Sequence, residues 1–175
     1  MLKLILMVIA LLVLGLLLYA ATRPDDFRVE RSISIKAPAE KVFPLINDLH
    51  RWQAWSPYEK RDPAMKRHFS GTDSGVGAAY AWDGNNQVGS GRMEIIESSA
   101  PLKIRIQLDF LKPFEGHNTA EFTLLPAGDA TQVSWAMYGP ANYMSKLMGL
   151  FCDMDQMIGK DFAAGLASLK TVSER

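Results

Sequence analysis

Hydrophobic and polar positions alternate in three different ways along this chain, and each way predicts a different kind of element. The run Leu2 to Ala21 (LKLILMVIALLVLGLLLYAA) is apolar on every side, with Lys3 as its one charge. A helix rises ~1.5 Å per residue, so about twenty residues span a ~30 Å hydrocarbon layer. From Arg28 to Ile35 the pattern switches to strict alternation, with Val29, Ile33 and Ile35 against Glu30, Ser32 and Ser34. That is the signature of a half-buried strand. Ala37-Pro38-Ala39-Glu40 then opens a helix whose apolar face is Val42, Phe43, Leu45, Ile46 and Leu49, interrupted by Pro44. Proline is harmless in a first turn and kinks an interior one, so this helix is bent or is two short pieces.

Between Lys66 and Gly139 the period stays near two. Short strands are expected over Met65–Ser70, Val76–Asp83, Gln87–Ile96, Leu102–Phe110, Glu115–Leu125 and Thr131–Tyr138. Asp83-Gly84-Asn85-Asn86 and Pro126 to Asp129 read as the turns between them. Ile104, Ile106, Leu108 and Phe110 share one face; so do Ala120, Phe122 and Leu124, and so do Val133, Trp135 and Met137. One apolar and one polar face per strand is what an antiparallel sheet with one wet side requires. Gly89-Ser90-Gly91 reads as a bend in that sheet. From Asn142 to about Val172 the period lengthens to that of one long helix. Its apolar stripe runs through Met144, Leu147, Phe151, Met154, Ile158, Phe162, Gly165, Leu166 and Leu169. Phe122, Trp135 and Phe151 are therefore expected to be buried together, joining sheet to helix.

These patterns divide the chain into a transmembrane anchor (1–21), a polar linker (22–27) and one globular domain (28–175). A cleaved signal peptide is the competing reading of the first segment. It fits less well, because the apolar run is long and Tyr19 stands where a cleavage site needs a small residue. Lys3 and the free amino terminus favour a cytoplasmic N-terminus and so a globular domain outside the cytoplasm, although Arg23, Arg28 and Arg31 at the other end, and a two-residue tail that translocates easily, pull the opposite way.

Charge adds little beyond an exclusion. Lys plus Arg number 19 and Asp plus Glu number 19, so no electrostatic case exists for nucleic acid. The single cysteine, Cys152, rules out an intrachain disulfide and any multi-cysteine metal site. With Asp153 beside it to disfavour the thiolate, it reads as a packing residue. His50, His68 and His117 lack metal-ligand spacing, and no phosphate or dinucleotide loop is present. No cofactor is therefore expected.

Some residues resemble a known family. They are Val29-Glu30-Arg31-Ser32-Ile33 leading into Ile35-Lys36-Ala37-Pro38-Ala39-Glu40-Lys41-Val42-Phe43, then Asp48, Trp52 and Trp55-Ser56-Pro57. Gly75-Val76-Gly77-Ala78 and Phe162-x-x-Gly165-Leu166-x-x-Leu169-Lys170 complete the set. In this order they resemble the START-like (SRPBCC) superfamily, within it the polyketide cyclase/dehydrase and lipid-transport group. The resemblance implies an α+β helix-grip fold, a curled antiparallel sheet around a long C-terminal helix, with an apolar cavity between the two.

That cavity would hold an apolar or amphipathic small molecule. Its expected lining is Tyr80, Trp82, Met93, Phe110 and Met137 from the sheet and Phe151 and Met154 from the helix, with Trp55 at the entrance. An ordinary packed core is the plain alternative for each of these side chains. Asp155 falls inside the helical stripe, about 40° from Phe151 at 100° per residue, and is expected to face the cavity. There it would orient a ligand, act as a general base, or sit in a salt bridge at the rim. Three functions stay open: a binding module, a cyclase- or dehydratase-like enzyme using Asp155 with His117, and an interaction protein with a filled core. Fold analogy does not choose among them, and a non-enzymatic binder is the favoured reading.

Overall fold

The computed structural model describes residues 1–151 and 153–175, the side chains of Met144 and Met154 excepted. Cys152 and those two side chains, expected to pack in the helical stripe, lie outside the described residues. Helix α1 (Leu2–Ala21) is apolar, long enough to cross a membrane, and exposed along nearly its whole length. Strand β1 (Asp26–Ile35) follows, then α2 (Ala39–Asn47), a 3-10 segment (Leu49–Ala54) and α3 (Pro57–Arg61). Pro38 caps α2 in an extended conformation, and Pro44 lies inside it without ending it.

Six further strands come next: β2 (Lys66–Ser70), β3 (Ala79–Asp83), β4 (Ser90–Ser99), β5 (Lys103–Lys112), β6 (Gly116–Ala127) and β7 (Ala130–Pro140). With β1 they form one antiparallel sheet in the order β1-β7-β6-β5-β4-β3-β2. The first strand thus closes on the last. Register shifts at Ser90/Gly91 and Ile95/Glu97 bend β4 and help the sheet curl. Gly91 is required at that bend. A Cβ there would lie 2.6 Å from the Trp82 ring and 2.5 Å from the Asp109 carbonyl.

Strand direction gives the sheet two ends that matter later. The near end carries the start of β1, the end of β7, and the β3–β4 and β5–β6 turns, since Asp26 faces Pro140, Asp83 faces Ser90, and Ser90 faces Lys112. The β4–β5 and β6–β7 turns lie at the far end.

The expected strand phases hold. Ile104, Ile106, Ala120, Phe122, Leu124, Val133, Trp135 and Met137 are all buried, as are Val29 and Ile35 on β1. The C-terminal segment departs from expectation. It is two helices, α4 (Tyr143–Met148) and α5 (Met154–Ser173), not one. Gly149 ends the first, and the Asp153 carboxylate accepts from the Gln156 N–H to start the second. The phase of the apolar stripe is therefore lost at the break. Phe162, Leu166 and Leu169 of α5 are buried against the sheet and the short helices. Phe151 is thrown outward and is 72% exposed, which corrects its expected place in the core.

Candidate functional site

A partly open cavity of about 280 Å³ lies between the concave face of the sheet and the short helices, with α5 closing one side. Five of the sheet residues expected there do line it: Tyr80, Trp82, Met93, Phe110 and Met137. Their aromatic edges interlock, with Trp82 edge-on to Phe110 at 6.0 Å between ring centres and tilted against Tyr80 at 6.1 Å. Ile158 and Phe162 supply the α5 wall.

Trp55 is not at the entrance. It is fully buried, donating from Nε1 to the Leu45 carbonyl at 2.9 Å, and it lies edge-on to Trp135 at 5.6 Å. Trp52 lines the cavity instead and donates to the Ile46 carbonyl. The expected partnership of Phe122, Trp135 and Phe151 is half right. Phe122 and Trp135 stack at 5.0 Å, but the helical partner is Phe162, which lies 4.1 Å from Trp135 with the rings 9° from parallel. Gly165 makes that approach possible, because a Cβ there would stand 2.7 Å from the Trp135 ring and 2.9 Å from Pro57.

Asp155 is outside the cavity. It sits in the first turn of α5, its side chain 58% exposed, and accepts from both Arg31 nitrogens at 2.8 and 3.0 Å. The Arg31 guanidinium holds its carboxyl below the usual range. Helical angle placed Asp155 on the stripe; the late start of α5 and the arginine on β1 draw it to the surface. It is a surface salt bridge with a partner the sequence did not suggest. His117 is also out of the cavity wall, exposed, with Nδ1 2.7 Å from Asp109 Oδ1.

The polar groups that do reach the cavity had no periodic signal. Ser56 and Glu59 lie on or beside the short helix α3, within an ordinary-looking charged run, yet both are buried and line the cavity. Glu59 Oε2 accepts from Arg67 Nε at 2.8 Å, and its Oε1 accepts from the Tyr80 hydroxyl at 2.7 Å. Arg67 also donates to the Pro63, Met65 and Asp62 carbonyls. A buried ion pair survives only when its remaining hydrogen-bonding capacity is met in this way. Burial, then the bond to Glu59, pushes the Tyr80 phenol up, so it stays a neutral donor. Burial does the same to Tyr58, with Asp161 adding to it.

Behind the wall, the Trp135 Nε1–H is sealed from the cavity and has no hydrogen-bond partner among the described residues. An unpaired buried N–H is uncommon in a folded protein. The deep wall is otherwise aromatic, aliphatic and thioether, and Asn86, Gln87 and Lys112 add polar and cationic groups where the strand turns reach it. Among the described residues no three His, Cys, Asp or Glu side chains gather as a metal would need. The arrangement suits an apolar or amphipathic molecule.

The family model described as polyketide cyclase / dehydrase and lipid transport matches residues 26–174. The chain belongs to that family. The fold agrees with solved structures of low identity. A Thermobifida fusca protein superposes with a TM-score of 0.62 at 18% identity, covering 83% of this chain and 92% of its own. A Chromobacterium violaceum protein gives 0.61 at 16%, covering 87% and 99%. The Aha1 dimer of Colwellia psychrerythraea gives 0.58 at 18%, covering 85% and 96%. At these identities the likeness shows the helix-grip fold and no activity. Comparison with curated proteins gave no match.

Proposed function

We propose that this chain is a membrane-anchored binding protein, with residues 1–21 as its anchor, 22–27 as linker and 28–175 as a domain that holds an apolar or amphipathic small molecule between sheet and α5. The observation that carries the reading is the cavity wall. It is aromatic and thioether on most sides and closed at one edge by the neutralised Glu59–Arg67–Tyr80 group. Apolar pockets with a few convergent polar groups are the usual form of small-molecule sites. The family, which includes lipid transport, supports the same reading.

The lipid-facing character of α1 supports the anchor: it is apolar all round and packs its side chains against almost nothing in the chain. In this reading the globular domain lies outside the cytoplasm, an orientation that Lys3 supports. Native mass spectrometry of the full chain, extracted in mild detergent, tests the binding reading. A small molecule released with the intact chain is expected. A chain that arrives empty and also fails to enhance the fluorescence of the neutral naphthyl ketone prodan would sink it.

A further inference from the structure

We propose that the cavity opens against the bilayer, with an apolar rim dipped into the lipid interface, so that the bound molecule exchanges with the membrane directly. This rests on the anchor reading above. The topology puts the anchor and the cavity mouth at one end of the sheet. The near end carries the α1–β1 junction, the β3–β4 turn and the β5–β6 turn. Those two turns supply the outer cavity wall through Val88, Gly89, Lys112 and Pro113.

The helix that follows β7 is fastened to the anchor, so this end is held at the membrane and does not swing freely on its linker. Tyr143 at the start of α4 donates its hydroxyl to the Leu17 carbonyl at 3.0 Å, inside the last turns of α1. Lys146 pairs with Asp25, and the Ala141 N–H bonds the Asp25 carbonyl at 2.8 Å. A side chain that reaches a carbonyl of the membrane helix sits at the depth of the interface, where tyrosine is favoured.

Beside the polar mouth residues Asn86, Gln87 and Lys112, large apolar side chains stand exposed on the β5–β6 turn and on the segment that follows the anchored α4. Leu111 and Phe114 flank the two mouth residues of the β5–β6 turn, and Phe114 is 63% exposed. Met148, Phe151 and Met157 are exposed on the turn and helix ends that follow Tyr143. Exposed apolar groups gathered around an opening mark an interaction surface, and beside a membrane helix the surface within reach is lipid. The far end has no anchor, and Leu125 there stands ~30 Å along β6 from the β5–β6 turn at ~3.4 Å per residue.

Electron paramagnetic resonance of the full chain in phosphatidylcholine–phosphatidylglycerol vesicles tests this. Spin labels are attached at Leu11→Cys in the anchor, Phe114→Cys at the rim and Leu125→Cys at the far end, each with Cys152→Ser. Relaxation by oxygen, which concentrates in lipid, is compared with relaxation by an aqueous nickel chelate. The expected result is lipid-like relaxation at positions 11 and 114 and aqueous relaxation at 125. Lipid-like relaxation at 11 with aqueous relaxation at 114 overturns the docked rim and leaves the anchor standing. Aqueous relaxation at 11 overturns the anchor and the rim together.

Discussion

Replacing Trp135 separates the two roles the structure gives it, because its ring and its N–H contribute with opposite sign. The ring stacks on Phe162 and Phe122 and lies edge-on to Trp52 and Trp55. Trp135→Ala removes all of this beside an existing cavity, at a cost of ~3–5 kcal/mol. The lost aromatic pairs, each ~0.5–1.5 kcal/mol, favour the upper part of that range. For a chain of this size ~1 kcal/mol moves the melting temperature by about 2–4 °C, so the alanine variant should melt roughly 6–20 °C lower.

Trp135→Phe keeps the stack and gives up on the order of 40 Å² of apolar burial, about 1 kcal/mol at ~25 cal/mol per Å². It also removes a buried donor whose missing partner costs ~1–3 kcal/mol. The two nearly cancel, and the phenylalanine variant should melt within about 3 °C of the parent. Binding should hardly move, less than about twofold in Kd, because the Trp135 Nε1–H is sealed from the cavity. Thermal unfolding by circular dichroism in mild detergent reads the first effect, and prodan titration reads the second. If Trp135→Phe melts as low as Trp135→Ala, the N–H is already satisfied and the reasoning fails. If the phenylalanine variant melts normally but binds prodan several-fold more weakly, the indole N–H reaches the ligand and is not sealed.

Phe151→Ala, on an exposed turn, should change stability by less than ~0.5 kcal/mol, whereas Phe162→Ala should cost ~3–5 kcal/mol; denaturant melts of the pair check whether the break between α4 and α5 sets the core. Asp155→Asn should leave prodan affinity unchanged. Because Arg31 lowers the folded-state pKa of Asp155, the ion pair contributes above its unfolded pKa and is lost as pH falls through the folded one, so parent and variant melting temperatures should converge below about pH 4. Glu59→Gln should destabilise by roughly 1–3 kcal/mol, since it takes the counter-ion from a partly buried arginine that keeps three backbone carbonyls, and urea melts that show no change would mean water reaches that pair. Gly165→Ala should lower the melting temperature by pushing Trp135 off Phe162, and near-ultraviolet circular dichroism should show the altered tryptophan environment.

How much of this was legible in the sequence depends on what sets each feature. Strand phase was legible because period two leaves only two choices, and long strands repeat the choice several times. Tyr80, Trp82, Met93, Phe110 and Met137 all reached the cavity wall for that reason. The helix break was harder to see, because the apolar stripe continues through it by coincidence. The signals were local. Gly149 suits a helix end, and Asp153 is a good N-cap with another acid two residues on. Once the helix is divided at that point, the angular argument for Phe151 no longer applies; Asp155 keeps its angle to Phe162 but stands in the first turn of α5, where Arg31 holds it at the surface.

Two carboxylates show why periodicity finds faces but not depth. Asp155 had the right helical angle and ended on the surface with Arg31; Glu59 lay in a charged run and ended in the cavity wall. What decides depth is whether a carboxylate meets a cation and enough further donors to offset its lost hydration. Glu59 meets Arg67 and Tyr80, contributed by the antiparallel pair β2 and β3, and no local pattern encodes that meeting. The completeness of the group also bears on the ligand. With one Glu59 oxygen taken by Arg67, the other by Tyr80, and Arg67 tied to three backbone carbonyls, the edge is electrically balanced before any ligand arrives. A charged headgroup would gain nothing from that group and would carry its own desolvation cost. The cation among the described lining residues is Lys112, next to the β5–β6 turn, so a polar head, neutral or anionic, would sit at that end with the apolar body inside.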